Sequence, residues 1–223
     1  MKDRYIHLEK ESASYYVEES GNSLYIYFEW SNGKTDWLNN FDFPAKPYRD
    51  MTDTWFCHRG FLKVWKALEP HLAPHILNPK FENIHITGYS HGGAIAQLCY
   101  EYVKFNRPGV RVIGVGYGAP RVVWGPVDEA VELRFKDFCV IRNGEDIVTH
   151  MPPRLLGFRH YGRICKIGKA WGFDNFKQSI KNNGLKKAIL NFDWFGPVKD
   201  HYPDRYEQAL FRIFLSYCSR GHR

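Results

Sequence analysis

The hydrophobic pattern of the chain switches between short apolar runs and longer segments with apolar residues at helical spacing. Two strand-like runs, residues 15–20 and 23–28, are separated by Gly21-Asn22, and this arrangement predicts a β-hairpin. The second run is apolar on both faces, which is typical of an inner strand. Further strands are predicted from residue 83 into the turn that begins at Gly88, and over 110–117, 138–142 and 160–167.

Helical spacing of apolar residues predicts a helix over 59–68, which Pro70 and Pro74 are expected to end or kink. The same spacing predicts helices over 91–105, 126–135, 175–191 and 204–218. Strands that alternate with helices indicate an α/β fold, with a mostly parallel central sheet and helices on both faces. The pattern contains no linker and no internal repeat, so we expect a single domain over residues 1–223.

The composition is that of a globular protein, with 44% hydrophobic residues in a chain of 223. No run has the length of a membrane span, and the first ten residues lack the apolar core of a signal peptide. The cysteines are odd in number and dispersed, so we expect buried, reduced thiols and a cytoplasmic location. No metal-ligand spacing is present, and no metal or other cofactor is expected.

The net charge is +7 and the isoelectric point is about 9.1. Such a surface can attract anionic lipid or nucleic acid, but the basic residues are mostly spread out, and we favour an ordinary solvated face. No nucleic-acid motif is present, so no nucleic-acid partner is expected. Residues 176–190 mix lysines with apolar residues, as helices lying on membrane surfaces do. Because Gly184 interrupts that pattern, an ordinary helix packed on the sheet is the favoured interpretation.

The stretch from residue 83 to residue 98 joins a predicted strand, a glycine-rich turn and a predicted helix. The turn is Gly88-x-Ser90-x-Gly92, with a serine at its apex. A serine there can expose its hydroxyl only in a strained conformation, and the glycines remove side chains that would collide with the strand and helix. The helix N–H groups would then face an oxyanion formed during ester cleavage. Ser90 is therefore a candidate nucleophile, and the alternative is a tight turn with a solvent-capped serine.

A serine hydroxyl needs a base, and the base needs an acid that orients it. In this type of fold the acid and the histidine follow the serine, and Asp146 lies at the end of a later predicted strand. His201 lies in a loop just before the last predicted helix, where a base from a late loop is expected. The ring of His91 is expected to point away from the serine, so that its backbone N–H acts instead. The candidate bases are His150, His160, His201 and His222.

The sequence contains four short motif blocks. Each is weak evidence by itself, but the four together in this order are specific. They are Phe28-Glu29-Trp30-Ser31 with Asp36-Trp37-Leu38; His58-Arg59-Gly60-Phe61; Gly88-Tyr89-Ser90-His91-Gly92-Gly93 with Gly118-Ala119-Pro120-Arg121-Val122; and Arg142-Asn143-Gly144-Glu145-Asp146-Ile147-Val148 with Pro152-Pro153. In this order the blocks resemble those of the class 3 (fungal-type) lipase family, which has the α/β-hydrolase fold.

The resemblance implies a triad of Ser90 as nucleophile, Asp146 as acid and His201 as base. It also implies an oxyanion hole formed by Ser31 and the backbone N–H of His91. His160-Tyr161-Gly162 resembles a structural block of the family, which argues against His160 as the base.

The chain departs from the family pattern at Glu29-Trp30, which replaces Arg-Gly in the first block, and Trp30 could narrow the acyl site. The family carries a short lid after the oxyanion residue, and residues 32–40 would supply it here. Trp37 is then either a lid contact or a core aromatic.

The resemblance implies hydrolysis of lipid-like carboxylic esters through an acyl-serine intermediate. The alternative is a protein that binds lipid surfaces, anionic ones included, with little turnover.

Overall fold

The computed structural model describes residues 4–8, 13–29, 45–48, 55–168 and 199–210. Strands account for much of this part of the chain. Their bounds are β1 (Arg4–Leu8), β2 (Ala13–Ser20), β3 (Ser23–Phe28), β4 (Ala45–Tyr48), β5 (Trp55–His58), β6 (Asn83–Tyr89), β7 (Arg111–Tyr117), β8 (Val123–Trp124), β9 (Phe138–Asn143), β10 (Phe158–Arg159) and β11 (Arg163–Ile167).

The main sheet has seven strands in the order β1-β2-β3-β6-β7-β9-β11. The first three strands pair antiparallel, and every pairing from β3 to β11 is parallel. The predicted hairpin is confirmed, because Ser20 pairs with Ser23 across a turn in which Gly21 has a φ of 59°. The mostly parallel central sheet expected from the sequence is therefore present. A second, antiparallel sheet has the order β10-β8-β5-β4.

Helices lie on both faces of the main sheet. They are α1 (Arg59–Ile76), α2 (His91–Asn106), α3 (Glu129–Phe135) and α4, of which residues 203–210 are described. On one face, α1, α2 and α3 contribute Trp65, Leu98 and Val131 to the core that contains Ile86 of β6. On the other face, Tyr206 and Ala209 of α4 pack against Tyr89, Tyr117 and Ile141.

The helix predicted over 59–68 is longer than expected. α1 continues through Pro70 and Pro74 to Ile76, so of the two expected effects the prolines do not end the helix. Its apolar stripe runs on past both prolines, and burial of that stripe offsets the hydrogen bonds that the prolines cannot donate. The buried residues of the stripe are Phe61, Leu62, Trp65, Leu68, Leu72 and Ile76.

Two other element boundaries differ from the prediction. The strand expected from residue 160 begins at Arg163, because Gly162 has a φ of 95° and turns the backbone out of the extended conformation. The helix expected from residue 126 begins at Glu129, after Asp128 in an extended conformation. The segments 32–40, 175–191 and 211–218 lie outside the described residues, and so do Ser31 and Cys218.

The four cysteines in the described part of the chain are free thiols. Cys57 and Cys99 are buried as expected, and burial raises the pKa of both thiols. Cys139 and Cys165 lie on the neighbouring strands β9 and β11 and are only partly buried, so the expectation of burial is wrong for them. Among the described residues, no helix combines the length and apolar character needed to cross a membrane.

A buried ion pair links α2 to α3. The Nε atom of Arg134 donates to Oε1 of Glu101 at 2.7 Å, and the Glu101 side chain is fully buried. The chain also contains an exposed ion pair for comparison, in which Nη2 of Arg163 lies 3.0 Å from Oδ1 of Asp137.

We expect Arg134→Gln to lower the free energy of unfolding by about 3 kcal/mol, because it removes a cation that pairs with the buried Glu101 carboxylate. Arg163→Gln should change the free energy of unfolding by less than about 1 kcal/mol, because Arg163 and its partner Asp137 are both exposed to solvent. Urea denaturation of the two variants beside the wild type measures the difference. Equal effects of the two substitutions would contradict the assigned role of the buried pair.

Candidate active site

Ser90 lies at the turn between β6 and α2, with a φ of 54° and a ψ of −119°. It is the one non-glycine residue with positive φ among those the structure describes. Its backbone N–H donates to the carbonyl of Tyr117 at 2.8 Å, and its carbonyl accepts from the N–H groups of Gly93 and Ala94. These bonds hold the strained conformation in place, as predicted from the turn sequence.

The two glycines that flank Ser90 are required by close backbone contacts. A Cβ atom on Gly88 would lie 2.1 Å from the carbonyl oxygen of Gly92, and one on Gly92 would lie 2.4 Å from that of Phe28. Both distances are far below any van der Waals contact. The Gly-x-Ser-x-Gly spacing therefore lets β6, α2 and the end of β3 meet at one point.

Ser90, His201 and Asp146 form a continuous hydrogen-bonded chain. Nε2 of His201 lies 2.9 Å from Oγ of Ser90, and Nδ1 lies 2.9 Å from Oδ2 of Asp146. All three residues are buried. The other carboxylate oxygen of Asp146 accepts from the N–H of Val148 at 2.9 Å. The arrangement is consistent with a catalytic triad, in which a base can remove the serine proton and a carboxylate orients the base.

The structure does not bring the other candidate histidines to Ser90. His160 instead contacts the carbonyl of Thr149 through Nε2 at 2.7 Å. Burial, together with the charges of Arg121 and Arg142, lowers the pKa of His160 and of His150 to about 4. His222 lies outside the described residues.

His91 is the first residue of α2, and its ring packs edge-on against Phe61 with the centroids 5.3 Å apart. This contact agrees with a ring that points away from the serine. Its pKa is lowered to about 4 by burial. Its backbone N–H belongs to the first turn of α2, where N–H groups have no partner within the helix.

Tyr206 of α4 also contacts Asp146, and the sequence pattern gave no indication of this contact. Its hydroxyl donates to Oδ2 of Asp146 at 2.5 Å and accepts from the N–H of Asn143 at 3.1 Å. Burial, and then the charge of Asp146, raise the pKa of Tyr206. In the sequence, Tyr206 is only one of several apolar-face residues of the last predicted helix, so no signal marked it.

Two further contacts hold the His201 loop in position. The hydroxyl of Tyr89 donates to the carbonyl of His201, and the two rings stack with centroids 5.4 Å apart. Asp200 accepts the N–H of Glu145 at 2.9 Å through its carboxylate. Gly118 lies against the Asp146–His201 pair with a φ of 60°, and a Cβ there would lie 3.0 Å from both residues.

Comparison with known proteins agrees with this geometry. The sequence model of the family described as Lipase (class 3) matches residues 25–156. The chain belongs to the class 3 lipase family. It is 29% identical over 130 residues to secreted mono- and diacylglycerol lipase 1 of Fusarium solani, which covers 56% of this chain and 38% of that protein. It is 26% identical over 171 residues to a lipase of Rhizomucor miehei, covering 73% and 45% of the two chains.

Solved structures of lipases share the fold of this class 3 lipase-family chain. The native Rhizomucor miehei lipase–propeptide complex superimposes with a TM-score of 0.63 at 25% identity, covering 74% of this chain and 55% of that one. Lipase II from Rhizopus niveus gives a TM-score of 0.64 at 22% identity, and the match covers 76% of this chain and 66% of that one. The α/β-hydrolase fold expected from the sequence is thereby confirmed.

The chain spans less than half the length of these two curated relatives. Relatives from Fusarium solani and Malassezia restricta are named as secreted lipases. These names contradict the cytoplasmic location that was expected from the cysteine pattern and the first ten residues.

We expect Gly88→Ala to abolish the native fold around Ser90, because its Cβ would overlap the backbone of Gly92. Gly109→Ala is the matched control, since nothing lies within 4 Å of a Cβ at that position. Thermal unfolding should show a large drop in Tm for the first variant and little change for the second. A Gly88→Ala variant as stable as Gly109→Ala would disprove the close contact.

Proposed function

We propose that this protein hydrolyses carboxylic esters, with lipid-like acyl esters as substrates, through an acyl intermediate on Ser90. The observation that carries the proposal is the buried chain from Ser90 through His201 to Asp146. Membership of the class 3 lipase family supports the same reaction.

In the proposed reaction, Asp146 accepts a hydrogen bond from the Nδ1–H of His201, because a carboxylate offers only acceptors. This leaves the lone pair of Nε2 facing the Ser90 hydroxyl. His201 takes that proton as the serine oxygen attacks the ester carbonyl, and returns it to the departing alcohol. Water then attacks the acyl-serine with His201 again as the base, which releases the carboxylic acid and restores the serine.

We propose that the oxyanion is stabilised by the backbone N–H groups of His91 and Ser31. The first belongs to the start of α2 beside Ser90. Support for the second comes from Gly92, because a Cβ there would lie 2.7 Å from the carbonyl oxygen of Glu29. Glu29, which directly follows β3, therefore lies beside the N-terminus of α2. Ser31 is only two residues further along the chain.

The substrate class rests on the family and on the names of the relatives, which are lipases of mono- and diacylglycerols in several cases. We propose a lipid-like ester for this chain, and weak contact with an anionic lipid surface through its net charge of +7. The alternative of surface binding with little turnover rests on residues 176–190, which lie outside the described part, and it stays a prediction.

We expect Ser90→Ala to lower kcat on a short-chain ester by several orders of magnitude, as removal of a triad nucleophile does. His201→Ala should abolish labelling of Ser90 by a fluorophosphonate, which reacts only with an activated serine. Ser20→Ala, at an exposed position of β2, is the matched control and should keep full activity. Full turnover in Ser90→Ala, or labelling of another serine, would refute the assignment.

We expect Tyr206→Phe to reduce kcat about tenfold with little change in KM, because it removes a hydrogen bond to the carboxylate that orients His201. Tyr161→Phe is the control, since it removes a hydroxyl contact to the carbonyl of Gly125 away from Ser90. Steady-state kinetics give the two constants, and Tm reports the fold. Equal kcat losses in both variants would show that Tyr206 has no positioning role.

A further inference from the structure

A cavity of about 660 Å³ lies at the β9–β11 edge of the main sheet. Val140 and Ile164 contribute its apolar floor, and Glu132 of α3 lies at its side. None of the triad residues lines it. Its walls carry five cationic side chains, Arg121, Arg142, Arg154, Arg159 and Lys166, and Glu132 is the one carboxylate among the described lining residues.

The cations of this cavity make no ion pair with a carboxylate in the described part of the chain. Arg121 donates instead to two backbone carbonyls, those of His150 and Pro152. Burial lowers the pKa of Arg121, and the charges of Arg142 and Arg154 lower it further. The like charges therefore repel each other, and a bound anion would remove that cost.

Buried nitrogen atoms beside the cavity also lack hydrogen-bond partners among the described residues. Two belong to lining residues, Nε of Arg142 and Nδ1 of His160, and the third is Nε2 of His150, which follows the lining residue Thr149 in the chain. A buried polar atom without a partner costs about 1–3 kcal/mol, so such atoms are rare unless a ligand or solvent meets them. The guanidinium of Arg142 is a donor as it stands. Nε2 of His150 is a donor in the tautomer that carries its hydrogen there, and Nδ1 of His160 becomes a donor when the ring is protonated, which a neighbouring anion favours.

We propose that this cavity binds a phosphate group. Guanidinium groups match the geometry of phosphate oxygens, and several cations with one carboxylate suit an anion that carries more than one charge. The volume exceeds that needed for the phosphate alone and leaves room for the organic part of a phosphate ester.

The turn next to the cavity points to a lipid headgroup as one source of the phosphate. Leu155 is 99% exposed and Leu156 is 51% exposed, and they lie between two cavity residues, Arg154 and Arg159. Nε1 of Trp124 holds the turn by donating to the carbonyl of Leu156 at 2.8 Å. Exposed apolar residues flanked by arginines are typical of protein segments that contact anionic membranes. The other source is a free phosphate or a small phosphate ester.

The first arm of the test uses inorganic phosphate, measured by calorimetry against chloride at equal ionic strength. We expect binding by the wild type and a loss of affinity of at least about tenfold in Arg142→Gln and Lys166→Gln. Arg163→Gln is the matched control on β11, because Arg163 does not line the cavity and pairs with Asp137 outside it. Lys166 is exposed, so its variant should fold even if Arg142→Gln does not.

The second arm uses phosphatidylcholine vesicles with and without phosphatidic acid, in a flotation assay. If the source is a lipid headgroup, phosphatidic acid promotes binding, Lys166→Gln weakens it, and Leu155→Ser weakens it without affecting inorganic phosphate. If the source is a free phosphate, only the first arm gives binding. Both results support the cavity as a phosphate site.

The proposal is overturned if the wild type binds neither probe at low salt, or if Arg142→Gln and Lys166→Gln bind both as well as Arg163→Gln does. The test is independent of ester hydrolysis. Ser90→Ala should bind phosphate like the wild type, so failure of the proposed hydrolase activity would leave this result unchanged.

Discussion

The structure depends on a point where three segments of the backbone come into close contact. They are β6 at Gly88, α2 at Gly92 and the end of β3. A single Cβ atom on either glycine would overlap a carbonyl oxygen, so β6, α2 and β3 can meet only without side chains there. This contact holds Ser90 at a φ of 54°, because the turn cannot relax without separating the strand from the helix. The parallel pairing of β3, β6 and β7 then brings their carboxyl ends to the same edge as the serine hydroxyl.

The position of the Asp146 carboxylate depends on how α4 docks on the sheet. Tyr206 packs edge-on against Tyr89 with centroids 5.7 Å apart, and its hydroxyl reaches the carboxylate of Asp146. Tyr89 also bonds the carbonyl of His201. Docking of α4 and alignment of the His201–Asp146 pair therefore use the same side chains. In a buried site these hydrogen bonds are stronger than in water, since the local dielectric constant is low.

The loop that follows β9 separates the candidate active site from the basic cavity. Asp146 faces His201 on one side of this loop. Thr149 joins the two sides, because its hydroxyl donates to the carbonyl of Asp146 while its own carbonyl contacts His160. A ligand in the cavity would thus contact Thr149, which is hydrogen-bonded to Asp146, although Ser90, Asp146 and His201 do not line the cavity.

The sequence by itself determined the features that depend on local chain geometry. Apolar periodicity predicted the hairpin, the parallel strands and α2, and the spacing of Gly88, Ser90 and Gly92 predicted the strained turn, because each reflects the conformation of neighbouring residues. The family resemblance selected His201 from four histidines. The tertiary structure decided what depends on packing between distant segments: the passage of α1 through two prolines, the hydroxyl of Tyr206 on Asp146, and the convergence of dispersed arginines on one cavity. The last two features left no local signal, because the residues involved come from separate elements and meet only when the sheet, helices and loops pack together.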